Sequence, residues 1–221
     1  MLKIEATQVV GFDAAIRGMR NPKNSWHLSD SHYEQTAPGW VEYIIGPNDH
    51  KLMMSLAKGG PVHAKYRRMI EVYADFTAPM YWWKEFDTYK VGTVRNSCST
   101  MHKIHVARFE PADFSCDAVY ELGGYVQSAF EEYLEVLEYL RDKFNETNEK
   151  VYWRALIQML PDSFNMKATV MLSYEVLCNI IRWRANHKLT EWHTFCDWIR
   201  SLPYSEIITI AAEDCGDKEG T

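Results

Sequence analysis

The sequence predicts an α+β fold, because strand and helix patterns alternate along the chain. Apolar and polar residues alternate over Met69–Thr77, the period of a strand packed on one side. Residues Glu121–Asn145 instead carry apolar side chains every three or four positions, the period of an amphipathic helix. Further strands are predicted at Leu2–Val10 and Val41–Ile45.

The remaining elements are predicted from residues that cap helices and from the prolines and glycines that interrupt regular structure. Residues 21–40 and the hydroxyl-rich stretch 93–100 are predicted to be loops. No repeat or linker divides the chain, so we expect one domain over residues 1–212, followed by a polar, disordered tail over 213–221. The other predicted helices are Asp13–Met19, one opened by Pro47 and closed by Gly59-Gly60, an aromatic helix with Pro79 at its first position, Glu149–Leu160, Ala168–Ala185, Thr190–Leu202 and a short helix from Pro203.

Composition excludes several classes of protein. The 221 residues carry a net charge of −6, which argues against general nucleic-acid binding. No apolar run approaches the ~18 residues of a membrane-spanning helix, and the N-terminus has no secretory leader pattern. The five cysteines include no C-x-x-C pair, which is typical of reduced thiols. We therefore expect a cytoplasmic protein that contacts neither nucleic acid nor membrane.

An ordered series of short motifs runs from residue 62 to residue 102. It resembles the signature of the flavin-dependent thymidylate synthases, which reads Gly-His, Ala-Pro, Arg-Gln, Arg-His-Arg and then Ser-x-Asn-Glu-x-Ser-x-Arg-Tyr. In this chain the family Glu is replaced by Ser97 and the final Arg-Tyr by Met101-His102. The matching positions are Val62-His63, Ala78-Pro79, Lys84-Glu85, Thr88-Tyr89-Lys90, Asn96 and Ser99.

A second series near the C-terminus resembles the same family. The family has Leu-Pro, then Asn-Leu-Arg, a second Asn and Leu-Arg on a long helix, with a His shortly after. Glu175 stands where the family has an arginine, and a carboxylate there would repel a pyrophosphate. The matching positions, in register without a gap as far as Arg184, are Leu160-Pro161, Ser173-Tyr174-Glu175, Asn179, Trp183-Arg184 and then His187.

The resemblance implies a mixed or antiparallel sheet with long helices and a homotetrameric enzyme. Such an enzyme methylates dUMP to dTMP, with methylenetetrahydrofolate as carbon donor, NADPH as reductant and FAD as hydride carrier. Arg184 and Ser99 would act on the nucleotide directly, and Glu85, Arg95 and Ser97 would help to hold it. The residues implied to face the flavin are His63, Thr88, Tyr89, Lys90, Asn96, Ser173, Asn179 and His187.

Other interpretations of single residues stay open. Arg184 continues an apolar helix stripe, so it could equally pair with a protein carboxylate or sit at an exposed helix end. Ser97, Ser99 and Thr100 are also typical of helix caps and turns. The aromatic helix, with Trp82 and Trp83, is expected to form core or a subunit interface rather than a stacking site.

Metal and thiol chemistry are weakly indicated. The spacing of His102 and His105 matches no zinc motif, so no metal is expected. Cys98 lies near Arg95, which could lower the pKa of its thiol, but no partner histidine motif accompanies it.

Two rival functions use the same scaffold. One is an enzyme that acts on a pyrimidine nucleotide with altered cofactor use, since Arg-His-Arg has become Thr88-Tyr89-Lys90. The other is a non-catalytic protein that binds a nucleotide or a partner. A flavin absorption band in the purified protein would distinguish the flavin-dependent synthase from these two alternatives.

Overall fold

The computed structural model describes residues 1–213, with side chains described as far as Ile210. Six strands and ten α-helices lie within this range. The strands are β1 Lys3–Val10, β2 His32–Ala37, β3 Trp40–Ile44, β4 Glu71–Pro79, β5 Thr93–Ser97 and β6 Asn165–Ser173. The helices are α1 Phe12–Arg20, α2 Pro47–Lys58, α3 Met80–Phe86, α4 Thr100–Lys103, α5 Asp117–Leu122, α6 Gly124–Thr147, α7 Lys150–Met159, α8 Tyr174–Arg184, α9 Thr190–Ser201 and α10 Glu206–Glu213.

Four strands form one sheet in the order β1-β4-β6-β5, and the predicted α+β class is confirmed. The strands β2 and β3 form a separate antiparallel ribbon in which Tyr33 lies opposite Tyr43. Gly39 sits in the turn of this ribbon with a φ of 82°, a conformation that favours glycine. The prediction of a loop over the whole of residues 21–40 is therefore wrong for the ribbon. Its strand β2 is exposed along its full length, so it lacks the buried alternate face that marks a strand in sequence.

The described chain divides into two compact units, each assembled from separate segments. The first contains Met1–Lys3, Asp75–Thr88 and Asn96–Thr169. Phe76 on β4 and Trp82 and Phe86 on α3 are fully buried, and their rings contact one another. A hydrophobic cluster that includes Leu137 of α6 and Leu156 of α7 forms a further part of its core. Trp83 is also buried and donates its indole N–H to the carbonyl of Met166 at 2.9 Å. The two tryptophans therefore belong to the core, as one of the two readings expected.

The second unit contains Ile4–Ala74, Tyr89–Arg95 and the chain from Val170 onward. Helix α8 lies at its centre and packs against α9 and α10, while α1 packs against α2. Its core includes the fully buried side chains Ile16, Met53, Ile70, Tyr174, Leu177, Trp192, Phe195 and Ile207. A single domain over residues 1–212 stays a prediction. Of the predicted tail, residues 214–221 lie outside the described part, and Glu213 is the last residue of α10.

Four predicted element boundaries are wrong. Residues 168–173 are the end of strand β6 rather than the start of a helix. Ala168, Val170 and Leu172 all face the core and alternate with the more exposed Thr169 and Met171, which is the period of a strand. Residues 93–97 form strand β5 rather than a loop. The helix predicted over Glu121–Asn145 is broken at Gly123, whose φ is 60°. Pro79 ends β4 and precedes the first residue of α3 instead of opening that helix.

Among the described residues, no helix is both long and apolar enough to cross a membrane.

Candidate functional site

Arg184 lies at the last residue of α8, in a cluster with two aromatic rings. Its Nε donates a hydrogen bond to the Tyr89 hydroxyl at 2.9 Å. Its guanidinium carbon lies 4.6 Å from the centre of the Trp192 ring and 5.7 Å from that of Tyr89. A guanidinium over an aromatic face is attracted to the ring electrons and loses less entropy when it binds a ligand. We call Arg184, Tyr89 and Trp192 the arginine cluster.

His187 lies just after α8, beside the arginine cluster. Its ring centre is 6.2 Å from that of Trp192, in an edge-to-face arrangement. Its Nδ1 accepts a hydrogen bond from the backbone N–H of Leu189 at 3.2 Å. This bond fixes the orientation of the imidazole ring beside Trp192.

Arg67 is a buried cation of the second unit and is 1% exposed. Its Nε donates to a carboxylate oxygen of Glu175 at 2.9 Å, and its Nη1 donates to the carbonyl of Ile207 at 3.1 Å. A buried charge needs such partners, because leaving it unpaired costs several kcal/mol, roughly 3–5. Glu175, which replaces a family arginine, is therefore the counter-ion of Arg67.

A cavity of about 830 Å³ lies between the end of α1, the outer face of α2 and residues 62–69. We call it the α1–α2 cavity. Its lining residues are Gly18, Met19, Arg20, Asn21, Pro22, Lys23, Ser25, Leu28, Asn48, Leu52, Leu56, Val62, His63, Lys65, Tyr66 and Met69. Of the predicted site residues, only His63 belongs to it.

One buried carboxylate, Asp49, organises the wall of this cavity. It accepts hydrogen bonds from the Arg20 Nε at 2.6 Å and from the hydroxyls of Ser29 and Ser31, each at 2.7 Å. The backbone N–H groups of Asp30 and Ser31 add two further bonds at 3.1 Å. Burial alone would raise the pKa of Asp49, but the hydrogen bonds and the positive charge of Arg20 outweigh it and lower that pKa.

Comparison with solved structures gives close matches in fold at low sequence identity. Thymidylate synthase X from Helicobacter pylori, crystallised with FAD and dUMP, matches with a TM-score of 0.68 and 15% identity, over 96% of this chain and 100% of that one. A second structure of the flavin-dependent enzyme from that organism, also with FAD and dUMP, gives 0.66 and 16% over 96% and 99%. The fold is that of the flavin-dependent thymidylate synthases. No family model matches the sequence, and no curated protein matches it either.

Eight of the thirteen predicted site residues lie in the second unit. The structure brings Tyr89, Arg184 and His187 together around Trp192. His63 lines the α1–α2 cavity, and the side chains of Lys90 and Asn179 are exposed. The other two are Arg95, half-buried on β5, and Ser173 at the start of α8.

The other five lie in the first unit. Asn96 and Ser97 are exposed at the end of β5, and Glu85 is half-buried on α3. Thr88 donates its hydroxyl hydrogen to the carbonyl of Glu85 at 2.8 Å. Ser99 is the N-cap of α4 and accepts from the backbone N–H of His102 at 3.3 Å. The capping role that the sequence left open for Ser99 is therefore present.

Two residues of the site region were missed from the sequence. Trp192 provides the ring over which the Arg184 guanidinium lies. The sequence indicated it only as a tryptophan on a predicted helix soon after Arg184. Arg67 was missed although it stands two residues before the predicted strand Met69–Thr77. A charged residue next to a buried strand is a signal for a buried ion pair, and its partner is Glu175.

Cysteine and metal chemistry gain no support from the described residues. No group of three histidine, cysteine, aspartate or glutamate side chains within the described part of the chain is placed to hold a metal ion. Cys98 is exposed, while Cys116, Cys178 and Cys196 are buried. Burial raises the pKa of the Cys196 thiol to about 11, which keeps it protonated and unreactive near neutral pH.

Proposed function

We propose that this protein is a flavin-dependent enzyme that methylates dUMP to dTMP. Methylenetetrahydrofolate supplies the carbon and NADPH the reducing equivalents. The observation that carries the proposal is the fold shared over 96% of the chain with thymidylate synthase X structures solved with FAD and dUMP. The proposal includes a single domain over residues 1–212, a cytoplasmic location and a homotetramer.

The arginine cluster supports a nucleotide-binding role for Arg184. The Tyr89 hydroxyl fixes the Nε edge of the guanidinium, and the Trp192 ring fixes its plane. An oriented guanidinium recognises phosphate and carbonyl oxygens better than a mobile one, because less freedom is lost on binding. In the proposal Ser99, Ser97, Glu85 and Arg95 complete the nucleotide contacts.

The surroundings of Glu175 are compatible with a bound flavin, although the sequence alone suggested that its charge would repel one. Glu175 would repel the FAD pyrophosphate if its charge were unpaired, but Arg67 neutralises it at 2.9 Å. The group itself supplies hydride transfer when it is bound. The protein holds and orients it through side chains proposed to be His63, Thr88, Tyr89, Lys90, Asn96, Ser173, Asn179 and His187.

Two of these side chains have hydrogen bonds that fix their orientation. The Nδ1 of His187 accepts the backbone N–H of Leu189. Ser173 accepts the backbone N–H of Val176 at 3.4 Å and keeps its own hydroxyl hydrogen to donate. Neither role requires a Cys or Ser nucleophile.

Absorption spectroscopy and titration test the proposal. The purified protein should bind FAD with a flavin absorption band, bind dUMP, and show bleaching of the flavin by NADPH under anaerobic conditions. Product dTMP should form only when methylenetetrahydrofolate is present. Light scattering should give four times the chain mass of 25.8 kDa.

A second candidate, a non-catalytic nucleotide-binding protein, is favoured by one observation. Thr88-Tyr89-Lys90 stands where the family has Arg-His-Arg, which leaves one cation of three at positions that the resemblance implies to face the flavin. Binding of dUMP without any binding of FAD or FMN would contradict the enzyme proposal and support this candidate.

A further inference from the structure

Residues 98–109, which we call the serine segment, have little internal structure to hold them in place. The helix α4 within them has four residues, none of them buried. So short a helix is unstable by itself, because the backbone groups at its two ends lack partners inside the helix. Its N-cap is the Ser99 hydroxyl, which the proposed function assigns to the nucleotide. Contacts with other elements must therefore fix the segment.

The start of the serine segment is fixed by the sheet, and the last turn of α4 by helix α7. The backbone N–H of Cys98 donates to the carbonyl of Lys167 on β6 at 2.9 Å. Trp153 of α7 is half-buried and donates its indole N–H to the carbonyl of Met101 at 3.1 Å. Carbonyls in the last turn of a helix accept no bond within that helix, so the indole supplies a partner from outside. This bond supports α4 without the Ser99 hydroxyl.

The residues that follow α4 are held by helix α6. Ile104 is 8% exposed and belongs to the hydrophobic cluster that includes Leu137 of α6. The His105 ring packs edge-to-face against Phe144, with 5.0 Å between the ring centres. The His105 carbonyl accepts a hydrogen bond from the side-chain amide of Asn145 at 3.0 Å. One apolar contact, one ring contact and one hydrogen bond therefore act on two consecutive residues.

The end of the serine segment is tied to α6 by Glu138. One oxygen of this carboxylate accepts the backbone N–H of Phe109, and the other accepts the Nε–H of Arg108 at 3.1 Å. Burial alone would raise the pKa of Glu138, but these hydrogen bonds and the nearby charge of Arg141 lower it. The carboxylate is therefore ionised near neutral pH, and its bonds to the segment are charge-assisted.

We propose that helices α6 and α7 hold the serine segment in place for the nucleotide, with Trp153 and Asn145 as positioning residues. The two helices pack against each other, and they and the segment all lie within residues 96–169 of the first unit. Because these anchors do not use the Ser99 hydroxyl, α4 keeps its place when that hydroxyl turns from the helix cap to a ligand. A group held in place before binding loses less freedom on binding. The inference rests on the proposed function and adds to it two residues that act through Ser99.

Hydrogen exchange of the protein without ligand tests the anchoring itself. Trp153→Phe removes the indole donor and keeps an aromatic ring, and Asn145→Ala removes the amide donor. In each variant the amide hydrogens of residues 100–105 should exchange about three- to tenfold faster, because one hydrogen bond is lost. Those of α8 should not change.

Trp198→Phe is the matched control for the exchange experiment. Trp198 is a half-buried tryptophan of α9, and its indole N–H donates to the Thr7 hydroxyl at 3.0 Å. This variant loses an equivalent bond in the second unit, so exchange at residues 100–105 should match wild type. Unchanged exchange in both Trp153→Phe and Asn145→Ala, or an equal increase in the control, would overturn the proposal.

Titration with dUMP tests the consequence for binding. The double variant Trp153→Phe/Asn145→Ala should weaken dUMP binding about fivefold. Added to Ser99→Ala, the same two changes should weaken it further by less than about twofold, because the hydroxyl that they position is already gone. Added to Arg184→Ala they should keep their full effect, because Arg184 is oriented by Tyr89 instead.

The background variants separate a positioning role from a general loss of stability. A general loss would weaken dUMP binding equally with and without Ser99, and that result would overturn the positioning role while wild-type binding of dUMP upheld the proposed function. Failure of the wild-type protein to bind dUMP would instead contradict the proposed function and, with it, a role of the segment in nucleotide binding. The exchange measurement would still decide whether α6 and α7 anchor the segment.

Discussion

Two serines cap two helices with nearly the same hydrogen bond, yet their surroundings differ. Ser99 accepts from the N–H three residues on at 3.3 Å, and Ser173 does so at 3.4 Å. Helix α4 has four residues, none of them buried, whereas α8 has eleven residues with five buried in the second unit. A cap on a short exposed helix contributes little to folding, so its hydroxyl can be given to a ligand. A cap on a buried helix is part of the fold.

The start of α8 provides the largest expected effect. Glu175→Ala leaves the buried Arg67 without its carboxylate, so the free energy of unfolding should fall by about 3 kcal/mol. Urea denaturation measures the change. Glu135→Ala, which removes an exposed carboxylate from α6, serves as the control and should change stability by less than about 0.5 kcal/mol. Equal, small effects would contradict the assignment of Glu175 as a structural counter-ion.

Arg184, at the C-terminal end of α8, is expected to affect the binding of dUMP. Under the proposed function, Arg184→Ala should weaken dUMP binding by about ten- to a hundredfold, or ~1.5–3 kcal/mol, because a charge-assisted contact is lost. Arg184→Lys keeps the charge but loses the Nε donor to Tyr89, so binding should be intermediate. Nucleotide titration and thermal melting are measured together. A variant that melts well below wild type and still binds dUMP normally would make Arg184 a structural residue.

The cap of α8 should have a smaller effect on stability. Ser173→Ala removes the acceptor for the Val176 N–H, which should cost about 1 kcal/mol of unfolding free energy. Ser173→Asn keeps an acceptor and should recover most of that loss. No loss in Ser173→Ala would remove the contrast between the two caps.

The smallest effect on stability is expected at Ser99. Ser99→Ala should change the unfolding free energy by less than about 0.5 kcal/mol, since α4 is short and exposed. Under the proposed function it should weaken dUMP binding about three- to tenfold, through loss of one neutral hydrogen bond. A destabilisation equal to that of Ser173→Ala would show that the cap of α4 is structural as well.

The sequence predicted the fold best in segments that carry a single periodicity, either the period of two of a strand or the period of three to four of a helix. Strand β4 and helix α6 have clean patterns, and both are present. The exception is residues 165–184, where a strand runs directly into a helix. Val170, Leu172 and Leu177 are buried on both sides of the junction, so one apolar stripe could be drawn through it. The decisive signal was Ser173, a helix cap that separates a period of two from a period of three to four.

The site was predicted less completely, because its partners come from distant parts of the chain. The resemblance pointed to Arg184 and Tyr89, which do meet. Trp192 completes their cluster and Arg67 neutralises Glu175, but no local pattern pairs residues separated by about a hundred positions, as Arg67 and Glu175 are. Ser97 and Ser99 are typical both of a helix cap and of a binding loop, and residue type alone cannot choose between the two.

The lowered pKa of Asp49 couples the segment around this carboxylate to pH, so acid should disturb that segment before it disturbs the rest of the fold. Because this pKa is lower in the folded than in the unfolded chain, Asp49 stabilises the fold above its unfolded value and loses that contribution as pH falls through the folded value. Proton uptake by this single carboxylate ends its pairing with Arg20 and weakens its hold on Ser29 and Ser31 together. On acidification the amide hydrogens of residues 25–31 should therefore lose protection, measured against the intrinsic exchange rate at each pH, before those of the core around α8 do.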